Sequence, residues 1–176
     1  MTASPSSAPS SQPIATLWRW LVLAGVLIIL DQLTKLYFDG LLRYGQRIAV
    51  LPFFDFTLLY NPGAAFSFLA QADGWQRWFF TILGLGASVF IVWMMHKSRS
   101  NKRLMLALTL ILGGALGNVI DRIAYGHVVD FLDFHWDWLS PVFFQGHFPA
   151  FNVADSAISV GAVCLILDEL IRVRKS

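Results

Sequence analysis

Residues 17–38 read LWRWLVLAGVLIILDQLTKLYF. The stretch is long and apolar enough to cross a bilayer as a helix, which takes about 20 residues. Yet it carries Asp31 and Lys35 toward its far end. Ionisable groups inside a bilayer are costly and face a polar interior or a functional site. Three more clusters repeat the pattern: Asn118 with Asp121 and Arg122, then Asp130, then Asn152 with Asp155. Each stands at the end of a long apolar segment or just beyond it. The fold turns on whether the chain brings these four clusters to one depth.

Composition supports a membrane reading. Hydrophobic residues make up 56% of the 176 and charged residues 14%, against about 25% charged in an ordinary soluble domain. Mean hydropathy is +0.60. A net charge of +2 gives no reason to expect nucleic acid as a partner. The single cysteine, Cys164, rules out an intrachain disulfide and a thiolate zinc site. It lies in an apolar run, where packing is the expected role. No apolar segment is followed by a processing box of small residues and cysteine. The first apolar run therefore reads as a retained signal anchor rather than a cleaved signal peptide.

Residues 1–16, rich in Ser, Pro and Ala and free of charge, read as a disordered tail. Residues 17–171 read as a single membrane-embedded domain and 172–176 as a basic cytoplasmic tail. Transmembrane helices are expected at about 17–38, 75–95, 104–123 and 150–171, joined by extracytoplasmic loops 39–74 and 124–149. The fold class expected is an all-α membrane core of four helices with a small β-hairpin or cradle and an interfacial loop outside it.

Short loops rich in Lys and Arg stay in the cytoplasm. Lys97, Arg99, Lys102 and Arg103 lie between helices two and three, and Arg172, Arg174 and Lys175 close the chain. Both termini are therefore expected inside. On that topology Asp31 stands roughly 21 Å along its helix and Asp121 roughly 25 Å along its own, at 1.5 Å per residue. Asn152 and Asp155 fall in the first outer turns of helix four. The clusters all reach the outer leaflet, with Asp168 and Glu169 at the inner end as the exception. Residues 53–60 have strand composition, Asn61-Pro62-Gly63 is a turn signal, and residues 64–69 are apolar again, which reads as a β-hairpin. Trp136, Trp138, Phe143, Phe144 and Phe148 suit an interfacial loop.

Asp130 and Asp155 are the sharpest candidates for chemistry. Two carboxylates held close cannot both stay ionised, so one keeps a proton and the pair can act as general base and general acid on one water. The bland reading makes Asp130 a solvated loop residue and Asp155 a charge favoured by a helix N-terminus. Spacing alone leaves both open. Asn152 is three residues before Asp155 and can position a water, a substrate carbonyl or Asp155, or simply cap helix four. Asn118 and Arg122 share a helix face, where Arg122 can hold a carboxylate, a lipid phosphate or a substrate carbonyl. Asp121 can pair with a basic residue. Asp31 and Lys35, four apart, read as an ion pair with a structural or headgroup role. Gly113 and Gly117 mark a close helix approach. The four histidines lack a paired helical zinc spacing, although His127, Asp130 and His135 can be imagined as ligands. No nucleophile motif frames Ser67 or Ser156.

Five motifs in this order resemble the bacterial prolipoprotein signal peptidase, or signal peptidase II, family. They are Asp31-Gln32-Leu33-Thr34-Lys35, Asn61-Pro62-Gly63-Ala64-Ala65-Phe66, Gly117-Asn118-Val119-Ile120-Asp121-Arg122, Val129-Asp130-Phe131 and Phe151-Asn152-Val153-Ala154-Asp155-Ser156. The resemblance runs from about Trp18 to Arg172. It implies a membrane-embedded aspartic endopeptidase that cleaves lipoprotein precursors before a diacylglyceryl-modified cysteine. Asp130 and Asp155 would be the catalytic dyad. Asn61, Gly63, Asn118, Arg122 and Asn152 would line the site, with Asp31, Lys35 and Asp121 in support. It implies no metal or organic cofactor, modified prolipoproteins and membrane lipids as partners, cyclic peptide inhibitors at the site, a monomer, and the bacterial inner membrane. The segment between Asp130 and Asp155 is long for the pattern and carries Asp133, a rival that lacks the Val-Asp-Phe context.

Other classes compete. A small transporter also places Asp, Asn and Arg inside the membrane, but the polar groups crowd one leaflet and no inverted repeat is visible. A lipid-binding scaffold would use the same clusters to hold helices together. Asn in place of Asp130 or Asp155 separates the three: a protease loses cleavage, a transporter flux, and a scaffold its assembly or lipid binding.

Overall fold

The computed structural model describes residues 14–63 and 74–174. In chain order they form α1 (Ile14–Leu41), β1 (Arg47–Leu51), β2 (Phe54–Asn61), α2 (Trp75–Lys97), α3 (Lys102–Tyr125), β3 (Val128–Phe134), two short 3-10 turns at Asp137–Leu139 and Phe144–Gly146, and α4 (Val153–Val173). Four helices with a small antiparallel sheet is the fold class expected from the sequence. Most of the expected tail, 1–16, the second hairpin arm at 64–69 and Ser67 lie outside the described residues.

α3 is the central helix, packed by α1, α2 and α4. Glycines let the neighbours close in. A Cβ on Gly117 would stand 2.6 Å from Asp31 Oδ2, and one on Gly114 would strike the Ala154 carbonyl oxygen. Asn101 caps α3 by accepting from the Arg103 and Leu104 N–H groups, each at 3.2 Å, and Gly126 ends it in the left-handed conformation at φ 84°. α2 by contrast turns bulk outward: Ile82 is 69% exposed and Val89 73%. Such a face is at home in lipid, not water.

α1, α2 and α3 are long and apolar enough to cross a membrane. α4 has 21 residues but carries Asp155 near one end and Asp168, Glu169 and Arg172 near the other. Its first residue is Val153 rather than the expected 150, because Asn152 terminates the helix as its N-cap.

The sheet has the order β1-β2-β3, antiparallel throughout. β2 is the strand expected at 53–60. It pairs with the upstream β1 and with β3. β3 was expected as part of an interfacial loop. Its period-2 run VVDFLDF takes up the free edge of β2 instead, with Leu59 opposite Asp130 and Asn61 opposite Val128. Phe38 of α1 stacks on Phe131 of β3 at 4.5 Å between ring centroids, within an apolar cluster that includes Leu42, Leu58 and Val129. A second apolar cluster, around Met95, Met105 and Leu108, fills the other end of the bundle. Between the two lies a buried polar layer of Asp31, Lys35, Asn118, Asp121, Arg122, Asp130 and Asn152. The four clusters do share one depth.

Candidate active site

Asn152 is the hub of that layer, and its geometry follows from helix capping. Its Oδ1 accepts from the Asp155 N–H at 2.9 Å, while its own N–H donates to Asp155 Oδ2 at 3.3 Å, a capping box. With Oδ1 committed to the helix, Nδ2 points the other way. It donates to Asp130 Oδ1 at 2.7 Å and to the Val129 carbonyl at 3.2 Å. The cap to the helix and the contact to Asp130, which the sequence allowed to coexist, are one arrangement. A single residue thus ties the two carboxylates together, its side-chain Nδ2 donating to the one on β3 and its backbone N–H to the one on α4.

Each carboxylate has a second donor. Asn61 Nδ2 donates to Asp130 Oδ2 at 3.3 Å. Asn61 is itself set by a turn in which its Oδ1 accepts from the Gly63 N–H at 3.0 Å. Asn118 Nδ2 donates to Asp155 Oδ1 at 2.8 Å. Asn118 is oriented from behind, because its Oδ1 accepts from Lys35 Nζ at 2.9 Å.

Lys35 lies between Asp31 Oδ2 at 2.7 Å and Asp121 Oδ2 at 2.8 Å. Burying an ammonium is tolerable only with such partners. Lys35 is 3% exposed and Asp31 1%, so the headgroup role considered for this pair gives way to a structural one. Asp31 Oδ1 also accepts the Ala154 N–H at 2.8 Å, one of the orphan donors in the first turn of α4. Arg122 donates from Nη2 to the Gly63 carbonyl at 2.6 Å and from Nη1 to the Asn118 carbonyl at 3.2 Å. Asp31, Lys35, Asn61, Gly63, Asn118, Asp121, Arg122, Asp130, Asn152 and Asp155 meet in this one network, whereas His135 pairs with Asp55 outside it.

Sequence reasoning gave Gln32 no role. Its Nε2 donates to Asp121 Oδ1 at 2.7 Å and to the Gly117 carbonyl at 3.2 Å, bolting α1 to α3. Its place inside the Asp31–Lys35 turn was the available signal. Asp133, the rival carboxylate, is held elsewhere, by His147 at 2.9 Å and Arg47 at 3.2 Å. Among the described residues no group of three His, Cys, Asp or Glu is arranged to hold a metal ion.

Asp130 is 3% exposed. Burial, and then the charge of Asp155, push its carboxyl up to about 8, against the pull of the Asn61 and Asn152 donors. A carboxylic acid that keeps its proton at neutral pH can donate it.

Two grooves reach the pair. One, of about 590 Å³, runs between α2, α3 and α4 past Phe80, Leu83, Val119 and Ile158, and has Asn118, Arg122 and Asp155 at its polar end. The other, of about 600 Å³, lies on the sheet side with Tyr44, Arg47, Tyr60, Asp130, Asp133 and His147. Asn61 and the segment Phe148-Pro149-Ala150 line both.

The family model described as signal peptidase (SPase) II matches residues 23–171. The chain is 56% identical over 156 residues to the lipoprotein signal peptidase of Polynucleobacter necessarius, covering 88% of this chain and 91% of that one. It is 52% identical over 178 residues to the lipoprotein signal peptidase of Paraburkholderia phytofirmans, covering 99% and 98%. A bacterial membrane enzyme solved by the in meso method at 2.3 Å resolution superposes with a TM-score of 0.78 at 31% identity, covering 90% of this chain and 91% of that one. With multiple spans, two carboxylates joined across a buried polar layer and these relatives, the chain belongs to the signal peptidase II family and has lipoprotein signal peptidase activity, that of an aspartic endopeptidase.

Proposed function

We propose that Asp130 and Asp155 are the catalytic pair, and that the chain cleaves diacylglyceryl-modified prolipoproteins on the amino side of the lipidated cysteine. The observation that carries this is the Asn152 amide, bonded to Asp130 through Nδ2 and to the Asp155 backbone through Oδ1. Asp155, ionised, removes a proton from a water whose oxygen attacks the scissile carbonyl. Asp130, protonated, gives its proton to that carbonyl oxygen. Collapse of the tetrahedral intermediate breaks the C–N bond. The amine of the cysteine leaves with the proton held by Asp155, and the gem-diol proton returns to Asp130.

The apolar groove takes the signal peptide and the acyl chains, which stay in lipid while water comes from the sheet side. Among the described residues Arg122 Nε has no partner. With Asn118, Arg122 lines that groove as a donor to the substrate backbone; Asn61 completes the wall, and Gly63 orients Arg122 through its carbonyl. Asp31, Lys35 and Asp121 hold Asn118 and α4 in place. Residues 17–171 act as one peptidase domain, a monomer in the inner membrane with both termini in the cytoplasm and the site at the outer leaflet. Cyclic peptide inhibitors of the family would occupy the same grooves.

The test is cleavage, in membranes, of a diacylglyceryl-modified prolipoprotein by wild type, Asp130→Asn and Asp155→Asn, beside an unmodified precursor. Loss of proton transfer is expected to lower the rate by about 10²–10⁴-fold in each folded variant, and the unmodified precursor should resist cleavage. Wild-type rates in either variant would sink the pair. Cleavage that survives Asp130→Asn but not Asp133→Asn would move the strand carboxylate.

A further inference from the structure

A polar cluster on the sheet lies outside the network around the two carboxylates. Asp133 on β3 stands directly opposite Asp55 on β2. Asp133 Oδ1 is 2.9 Å from His147 Nδ1, and Asp133 Oδ2 is 3.2 Å from Arg47 Nε. Arg47 Nη1 lies 3.2 Å from His147 Nε2. The ring of His135 stacks on that of His147 at 4.7 Å between centroids, with its Nε2 3.4 Å from Asp55 Oδ1.

The partners fix the tautomer of His147. A guanidinium has only donors, so Nε2 accepts from Arg47 and Nδ1–H donates to the Asp133 carboxylate. Both ring nitrogens are therefore used. Asp133 is 2% exposed, which is deep for a group with no part in the proposed proton transfers.

His147 also ends a constrained turn. Gln145 has φ 52° and Gly146 φ 75°, and a Cβ on Gly146 would strike the Trp136 carbonyl oxygen. A non-glycine residue in the left-handed region persists only where its surroundings dictate it. The chain then pairs with the end of β3 and the residue after it, the Phe148 N–H donating to the Phe134 carbonyl at 2.7 Å and His135 standing opposite His147. The next residues are Phe148-Pro149-Ala150, the wall that lines both grooves. His147 itself lines only the sheet-side groove of the two, with Arg47 and Asp133.

We propose that the Asp133–His147–Arg47 chain is a positioning device for this wall, and that it governs how the polypeptide beyond the scissile bond is accepted in the sheet-side groove. The inference rests on Asp130 and Asp155 being the reacting pair. A substrate crossing between them leaves its lipid and signal peptide in the apolar groove, so the chain after the cysteine runs along the wall into the polar one. His147 touches no reacting atom. Its effect falls on KM for substrates long enough to enter the groove.

The experiment compares two diacylglyceryl-modified substrates, one ending just after the cysteine and one extending well beyond it. Wild type, His147→Ala, His147→Asn and Arg47→Ala are assayed as full chains in lipid. In His147→Ala, KM for the long substrate should rise about tenfold relative to the short one, with the ratio of kcat values held. The figure corresponds to losing the net worth of one charged hydrogen bond. His147→Asn, which keeps a donor toward Asp133, should restore much of the ratio. Arg47→Ala should shift it in the same direction, and because Arg47 is 44% exposed that variant does not depend on refolding a buried site. Equal effects on both substrates, or a change in kcat alone, would overturn the proposal and reduce the cluster to a sheet fastener. An unaltered KM ratio in all variants would overturn it as well. Cleavage of either substrate surviving in Asp130→Asn and Asp155→Asn would instead remove the reading of the site on which it rests.

Discussion

At the scale of single residues, Asp130 is placed where its charge is opposed. Its carboxyl would titrate near 3.8 in the open chain and does so at about 8 in the fold, because of burial and then Asp155. Between those values the folded protein holds a proton that the unfolded chain has released. The stability linked to that proton is complete below the lower value and is lost as pH rises through about 8. The same proton is the general acid of the proposed reaction. Cleavage should therefore hold up to about pH 8 and fall above it with the slope of one ionisation. The melting temperature of the wild type should decline as pH rises between 3.8 and about 8 and level off above it. Asp130→Asn cannot ionise there and should lose cleavage while keeping a flatter melting profile. A pH–rate profile beside thermal melts of both proteins decides the matter, and a wild-type melting temperature that stays level through that range would place the proton elsewhere. That Asp130 and Asp155 would approach one another was implied by the family resemblance of the Val-Asp-Phe and Asn-Val-Ala-Asp contexts. Which member keeps the proton was not, since it depends on burial by β2 and α4, remote in sequence.

At the scale of elements, the separation of α3 and α4 sets the site. A methyl group on Gly114 would land on the Ala154 carbonyl oxygen and crowd Ile158. Backbone cannot swing aside as a flexible side chain can, so α4 must shift, and with it Asn152 and Asp155. Gly114→Ala should cost about 1–3 kcal/mol of stability. On the proposed mechanism, a displacement of Asp155 by about 1 Å should lower cleavage by about 10²-fold, more than the fraction of unfolded protein explains. Gly86→Ala on α2 is the control. No atom lies within 4 Å of its added Cβ, and in a helix interior Ala is favoured over Gly by about 1 kcal/mol. Thermal melts and turnover on both variants check this; equal turnover in the two would mean that the site tolerates the shift. The four helices were legible because long apolar runs dominate any window of the sequence. β3 was not. Its Val-Val-Asp-Phe-Leu-Asp-Phe alternation is short, and its partner β2 lies some 70 positions earlier, as the pairing of Asn61 with Val128 shows. The aromatics that follow it suggested an interface loop. The His147 cluster was hidden for the same reason, being assembled from three separate stretches of chain.

At the scale of the molecule, the charges sort to opposite ends. The α2–α3 connection and the end of α4 meet where Asn101 Nδ2 donates to Asp168 Oδ2 at 2.6 Å and Arg103 Nε lies 3.1 Å from Asp168 Oδ1. Lys97, Arg99, Lys102, Arg172 and Arg174 belong to these same two segments. The sheet and the two carboxylates stand at the other end of the bundle. Basic short loops tend to remain in the cytoplasm, and on the proposed topology the grooves then face outward. The orientation is also what the chemistry needs, since the polypeptide after the cysteine has to leave on the side where the sheet-side groove opens. In a Cys164→Ser background, single cysteines at the exposed positions Ser100 and Ser140 report the two ends. A membrane-impermeant maleimide applied to intact inner-membrane spheroplasts should label Ser140→Cys at once and Ser100→Cys only after permeabilisation. Labelling in the reverse order would turn the grooves toward the cytoplasm. A precursor would then have to present its lipidated cysteine before export, and the outer-leaflet peptidase reading would fail even with both carboxylates in place.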